Sequence, residues 1–164
     1  MSSVLIVGSV ALDTVETPAG KREAMLGGSA TYFSMAAAHF APVRLVAVVG
    51  RDFPESSRRL LESKQVDLEG LQTAEGETFR WTGAYHGVMN EAITHDTQLN
   101  VFQGFQPVLP DAYRDTPFVF LGNIDQDLQA EVLTQVRAPK LVALDTMNFW
   151  IEGSFEALHE TLKY

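Results

Sequence analysis

The chain has 164 residues, 46% of them hydrophobic, which is enough for one domain with a sizeable core. Twelve Lys and Arg against 21 Asp and Glu leave a net charge of −9 without any basic cluster, which argues against nucleic acid and anionic lipid and leaves a small molecule as the expected partner. The lack of cysteine excludes disulfides and thiolate metal sites, no apolar run approaches the roughly 20 residues of a membrane span, and Met1-Ser2-Ser3 lacks a basic leader, so the expected location is the cytoplasm.

Val4-Leu5-Ile6-Val7 is an unbroken β-branched and aliphatic run, the pattern of a parallel strand covered on both faces, and it is expected to be central. It runs out through Gly8-Ser9-Val10-Ala11-Leu12 to Asp13, the only carboxylate of the opening stretch. Thr17-Pro18-Ala19-Gly20 reads as a turn between two short extended pieces. Gly27-Gly28-Ser29-Ala30 then leads into a small-residue helix reaching about Phe40, with Ser29 as its expected N-cap and Ala36, Ala37 and Ala38 as the thin face that lies on a sheet. The glycine pair followed by free first-turn N–H groups predicts a hinge beside a binding surface.

Ala41-Pro42 breaks that helix, and Val43 to Val49 is the next buried strand, closed by Gly50. Glu55 to Lys64 is a charged surface helix begun by Pro54. From Val66 the texture changes. Thr78 to Tyr85 alternates, setting Phe79, Trp81 and Tyr85 on one face and Thr78, Arg80 and Thr82 on the other, as an antiparallel strand with one open side does. A second such strand is expected near Gln98 to Phe102, after a polar connection from Asn90 to Thr97. Phe118-Val119-Phe120-Leu121 and Leu141-Val142-Ala143-Leu144 read as two further buried strands. Between them Asp125 caps a helix expected over Gln126 to Arg137, and a last helix starts near Ser154.

Ligands of open parallel sheets bind beyond the carboxyl ends of the strands, where this chain places Asp13, Asp52, Asn123, Asp145 and Asn148. Carboxylates accept and amides both accept and donate, so together these groups suit a polyhydroxylated ligand such as a sugar. His39, His86, His95 and His159 show no paired spacing, and no metal site is expected.

Those same stretches resemble the ribokinase family of carbohydrate and nucleoside kinases. The resemblance rests on Gly8 to Asp13, Gly27-Gly28-Ser29-Ala30, Val48-Val49-Gly50-Arg51-Asp52 and Asp145-Thr146-Met147-Asn148-Phe149-Trp150, in order along the whole chain. It implies an α/β fold, a three-layer parallel sheet with helical crossovers, plus a small antiparallel β lid. Residues 1–13, 26–70 and 103–164 would form the partial core, and 14–25 with 71–102 the lid. It further implies that Asp13 binds sugar hydroxyls and that Gly27 and Gly28 form the hinge of lid closure. The ribose-specific enzymes carry Lys where this chain has Ser29 and Asn where it has Tyr32. The family's glycine-rich Gly-Ala-Gly-Asp motif, source of the anion hole and catalytic base, does not occur in these residues.

The reading is the amino-terminal half of a sugar, polyol or nucleoside kinase that transfers phosphate from ATP with Mg in the intact enzyme, and that is inactive as this piece alone. The substrate-binding set is Asp13, Gly27, Gly28, Ser29, Tyr32, Arg80, Asn123, Asp145 and Asn148. Partners expected are a small-molecule sugar, polyol or nucleoside and a second copy of the chain through the lid. The alternative is a non-catalytic sugar-binding or regulatory protein complete at this length.

Overall fold

The computed structural model describes residues 2–164. The chain runs β1 (Val4–Val7), β2 (Ala11–Thr17), β3 (Gly20–Gly27), α1 (Ser29–Ala37), β4 (Val43–Gly50), α2 (Glu55–Ser63), β5 (Val66–Ala74), β6 (Phe79–Tyr85), β7 (Ala92–Gln98), the 3-10 turns Asn100–Gly104 and Asp111–Tyr113, β8 (Phe118–Leu121), α3 (Gln126–Gln135), β9 (Leu141–Leu144), α4 (Asn148–Gly153) and α5 (Phe155–Thr161).

The main sheet has the order β5-β4-β1-β8-β9 and every pair in it is parallel, so β1 is central as its unbroken apolar run requires. Successive side chains point to opposite faces and build two cores. Leu5, Val7, Val46, Val48, Val119 and Leu121 pack with Ile124 and Val132 around α3 and with Phe105, Leu109 and Tyr113 of the connection before β8. Ile6, Leu45, Ala47 and Val49 face Ala30 of α1 and Leu61 of α2. Each such fully buried aliphatic side chain contributes about 1.5–3 kcal/mol.

On this second face α1 and α2 lie over β1, β4 and β5, Phe33 of α1 stacks on Phe120 of β8, and the flank beyond, over β9, stays open. Val4, Phe33, Phe40, Phe118, Phe120 and Leu141 line an apolar groove of about 320 Å³ there. Phe40 is 91% exposed and Leu141 59%. β9 is therefore an edge strand alternating between exposed and half-buried residues, not the buried strand its apolar run suggests.

The small sheet has the order β3-β2-β6-β7. It is mixed rather than antiparallel, because β2 and β6 run parallel while β2–β3 and β6–β7 run antiparallel. Its last strand is Ala92–Gln98, in the stretch expected to be a polar connection, and most of 98–102 is a 3-10 turn instead. Residues 71–74, assigned from sequence to the lid, complete β5 at the edge of the main sheet, which thus has five strands where the apolar runs suggested four. Ala11, Leu12 and Asp13 lie within β2 of the small sheet, not in a loop beyond β1. Helix resumes at Asn148 with α4, ahead of the last helix expected near Ser154.

Candidate functional site

The first turn of α1 is held by a residue twenty positions earlier. Ser9 Oγ accepts from the Ser29 N–H at 3.0 Å and lies 3.1 Å from Ser29 Oγ, and the Ser9 carbonyl accepts from the Ala30 N–H at 3.0 Å. Gly28, with φ 93°, is the N-cap position, and Ser29 is the first helical residue, not the cap. A Cβ on Gly28 would fall 2.7 Å from the Ser9 carbonyl carbon and 3.0 Å from Ala11 N, so the turn tolerates only glycine. The buried face of α1 is Ala30, Thr31 and Ser34, and Ala36 is exposed.

This packing sets the N-terminus of α1 on the carboxyl ends of β1 and β8. Side chains added at Gly8 or Gly122 would strike Ser29 Oγ at 3.0 and 2.6 Å, so both strand ends are glycine where the helix approaches. Asn123 follows at once, and its Oδ1 is buried with no hydrogen-bond partner among the described residues, as is Thr146 Oγ1. The fully buried Gln129 donates from Nε2 to the carbonyls of Gly122 at 2.8 Å and Asp145 at 3.1 Å, tying the ends of β8 and β9 together.

Asp13 sits across the glycine pair. Its carboxyl fills the space a Gly27 side chain would need and lies beside the Gly28 N–H. Burial pushes the Asp13 carboxyl up to about 6, against the opposing pull of that N–H. Tyr32, one turn into α1, is exposed overall, but its phenol is raised by partial burial and by the charges of Asp13 and Tyr85 close by. The structure thus gathers Asp13, Gly27, Gly28 and Tyr32 at one place, with Tyr85 of β6 near the Tyr32 phenol, and Ser29 and Asn123 at the adjoining strand ends.

The remaining candidates make other contacts. Arg80 is committed elsewhere: its Nη2 donates to Asp52 Oδ2 at 2.5 Å, and Asp52 Oδ1 also accepts from the Thr78 N–H and hydroxyl, both at 2.7 Å. Partial burial raises the Asp52 carboxyl, but the Thr78 bonds and the Arg80 charge outweigh it and hold it below the usual range. Asp145 and Asn148 are exposed; the Asp145 N–H donates to Leu121 O at 2.8 Å, while Asn148 opens α4. Asp125 caps α3, accepting from the Asp127 N–H at 2.8 Å, as its place in the sequence suggested. Among the described residues no three His, Cys, Asp or Glu side chains converge as a metal site. Among the described residues no helix is long and apolar enough to cross a membrane.

Phe79 and Trp81 of the apolar stripe on β6 are partly used internally. Phe79 stacks on Phe102 at 5.4 Å, and Trp81 covers Gly83 and donates from Nε1 to Thr94 Oγ1 at 3.2 Å. Two of the groups that shape the site, Ser9 and Tyr85, were missing from the set read from sequence. Tyr85 was visible there as part of the stripe, whereas Ser9 gave no signal because its partner is distant in the chain.

No protein-family profile matches the chain. In sequence it is 27% identical over 143 residues to the cytidine kinase of Thermococcus kodakarensis, covering 86% of this chain and 50% of that protein. In structure it is similar to the nucleoside kinase of Methanocaldococcus jannaschii, an archaeal member of the ribokinase family, with a TM-score of 0.77, 20% identity, and coverage of 99% of this chain and 58% of that one. It is likewise similar to the nucleoside kinase of Burkholderia thailandensis in complex with inosine, with a TM-score of 0.79, 16% identity and coverage of 98% and 56%. The chain spans about half the length of these relatives. The likenesses bear out the resemblance read from the sequence: the chain has the ribokinase-like fold, and the relatives it matches are kinases.

Proposed function

We propose that this chain forms the substrate side of a ribokinase-like phosphotransferase whose substrate is a nucleoside, gripped through its ribose hydroxyls by Asp13 and enclosed by the small sheet. One observation carries the reading. Asp13 is a sheltered carboxyl beside the Gly28 N–H, set against a backbone too close for any side chain at Gly27. A carboxylate kept partly dry and under-supplied with donors is ready to accept hydroxyls, each charge-assisted bond being worth about 1.5–3 kcal/mol. The kinship with cytidine and nucleoside kinases favours a nucleoside over a free sugar.

The residues described here bind and orient. The ribose hydroxyls meet Asp13, the Tyr32 phenol lies between the charges of Asp13 and Tyr85, and the amide of Asn123 stands at the end of β8. The resemblance assigns the anion hole and the base of phosphoryl transfer to a Gly-Ala-Gly-Asp motif, which does not occur in these 164 residues. Calorimetric titration with cytidine, inosine, ribose and inositol tests the reading. Nucleosides are expected to bind, and Asp13→Asn to weaken them at least tenfold without lowering Tm. Absence of binding by every compound, or equal affinity in the variant, would overturn it.

A further inference from the structure

The small sheet meets the main sheet through a compact polar cluster at the start of β6. Thr78 is completely buried, and its hydroxyl donates to Asp52 Oδ1 while accepting from the Gly50 N–H at 3.0 Å. The Thr78 carbonyl accepts from Asn100 Nδ2 at 3.0 Å, the Gly76 carbonyl from the Arg51 N–H at 3.0 Å, and the Glu77 carbonyl from the Val101 N–H at 3.2 Å. A Cβ on Gly50 would fall 2.5 Å from Thr78 N, so the end of β4 and the start of β6 are in backbone contact. Arg80, two residues on, closes the cluster through Asp52 Oδ2, with Glu77 Oε2 at 3.8 Å from its Nε.

Asp52 therefore holds the residues on both sides of Phe79, where β6 begins. β6 pairs in parallel with β2 so that Arg80 stands opposite Leu12 and Trp81 opposite Asp13. Fixing Thr78 and Arg80 fixes the height of β6, and through the ladder it fixes the strand segment that carries Asp13. We infer that Asp52 is a positioning residue for the Asp13 site: it latches the small sheet to the body at β6 and so sets where the Asp13 carboxyl stands. The inference rests on the proposed role of Asp13 for its functional meaning, but not for its structural content. Arg80, in this account, acts on the sheet and not on the ligand.

The test compares Asp52→Asn, Asp52→Ala, Thr78→Val and Thr78→Ser in the 164-residue protein. Amide hydrogen exchange of the ligand-free protein is measured over 11–17 and 79–85, with cytidine affinity by calorimetry. Asp52→Ala and Thr78→Val are expected to speed exchange at Leu12, Asp13 and Trp81 at least tenfold and to weaken cytidine by a similar factor. Thr78→Ser, which keeps the hydroxyl, is expected to restore both, and Asp52→Asn to fall between. Faster exchange confined to 75–78, with β2 and affinity unchanged, would overturn the inference and leave a simple loop staple. If Asp52→Ala does not fold, Thr78→Val and Asp52→Asn decide by the same measures. Failure of the wild type to bind cytidine would overturn the proposed function alone, and the exchange data would still decide on the latch.

Discussion

The carboxyl of Asp13 occupies the space in which a side chain on Gly27 would lie, an added Cβ falling 2.5 Å from Asp13 Cγ. The two residues are neighbours across the β2–β3 ladder, where Asp13 pairs with Met25 and Ala11 with Gly27. Gly27 is needed for the room it leaves, since it is Gly28, not Gly27, that takes a positive φ. Gly27→Ala is expected to push the carboxyl out of place and weaken nucleoside binding at least tenfold, with the far-ultraviolet circular dichroism spectrum retained. Gly28→Ala, by contrast, meets the Ser9 backbone at positive φ and is expected to cost about 1–3 kcal/mol of stability by urea unfolding.

The raised Asp13 carboxyl predicts a pH dependence with a definite sign. Its pKa is about 6 in the folded protein against 3.8 as the ordinary value, so the folded state holds the proton more tightly than the unfolded chain. The resulting stabilisation is fully present below the ordinary value and is lost as pH rises through about 6. Melting temperatures of wild type and Asp13→Asn should therefore diverge between pH 4 and pH 7, the variant becoming relatively more stable on the alkaline side. Nucleoside affinity should rise over the same interval as the carboxylate forms. A Tm difference constant across that range would contradict the assignment.

Ser9 is expected to behave as a helix cap placed remotely in sequence. Ser9→Ala removes the acceptor of the Ser29 N–H and should cost about 0.5–2 kcal/mol, read by urea unfolding. Ser9→Thr keeps the oxygen and should recover part of that loss, whereas Ser29→Ala should cost less because its backbone bond to Ser9 survives.

What could be read from the sequence was what a single stretch of chain decides. Val4 to Val7 announced a central parallel strand because all four residues are apolar, and Asp125 announced its cap because the N–H it accepts from is two residues away. β7 gave no such signal, because every residue of Ala92–Gln98 is exposed and an edge strand without a buried face needs no alternation. β5 was obscured where Gly70 and a register shift interrupt Val66, Leu68 and Leu71. At the site, Asp13 and the glycine pair were legible as a local motif. The Ser9 cap and the commitment of Arg80 to Asp52 were not, since each depends on contacts 20 or more residues apart that only the folded chain creates.

The open flank over β9 makes this protein's behaviour in solution depend on its charge. Phe40 and Leu141 are exposed beside the edge strand β9, and mutual repulsion between chains that each carry −9 opposes association there. That repulsion reaches about 8 Å at physiological ionic strength and about 3 Å in molar salt, while the attraction between apolar surfaces does not fade as ions are added. For the 164-residue chain by itself, self-association through this flank is expected to grow as salt rises or as the pH approaches its isoelectric point near 4.8, and light scattering against salt and pH checks it.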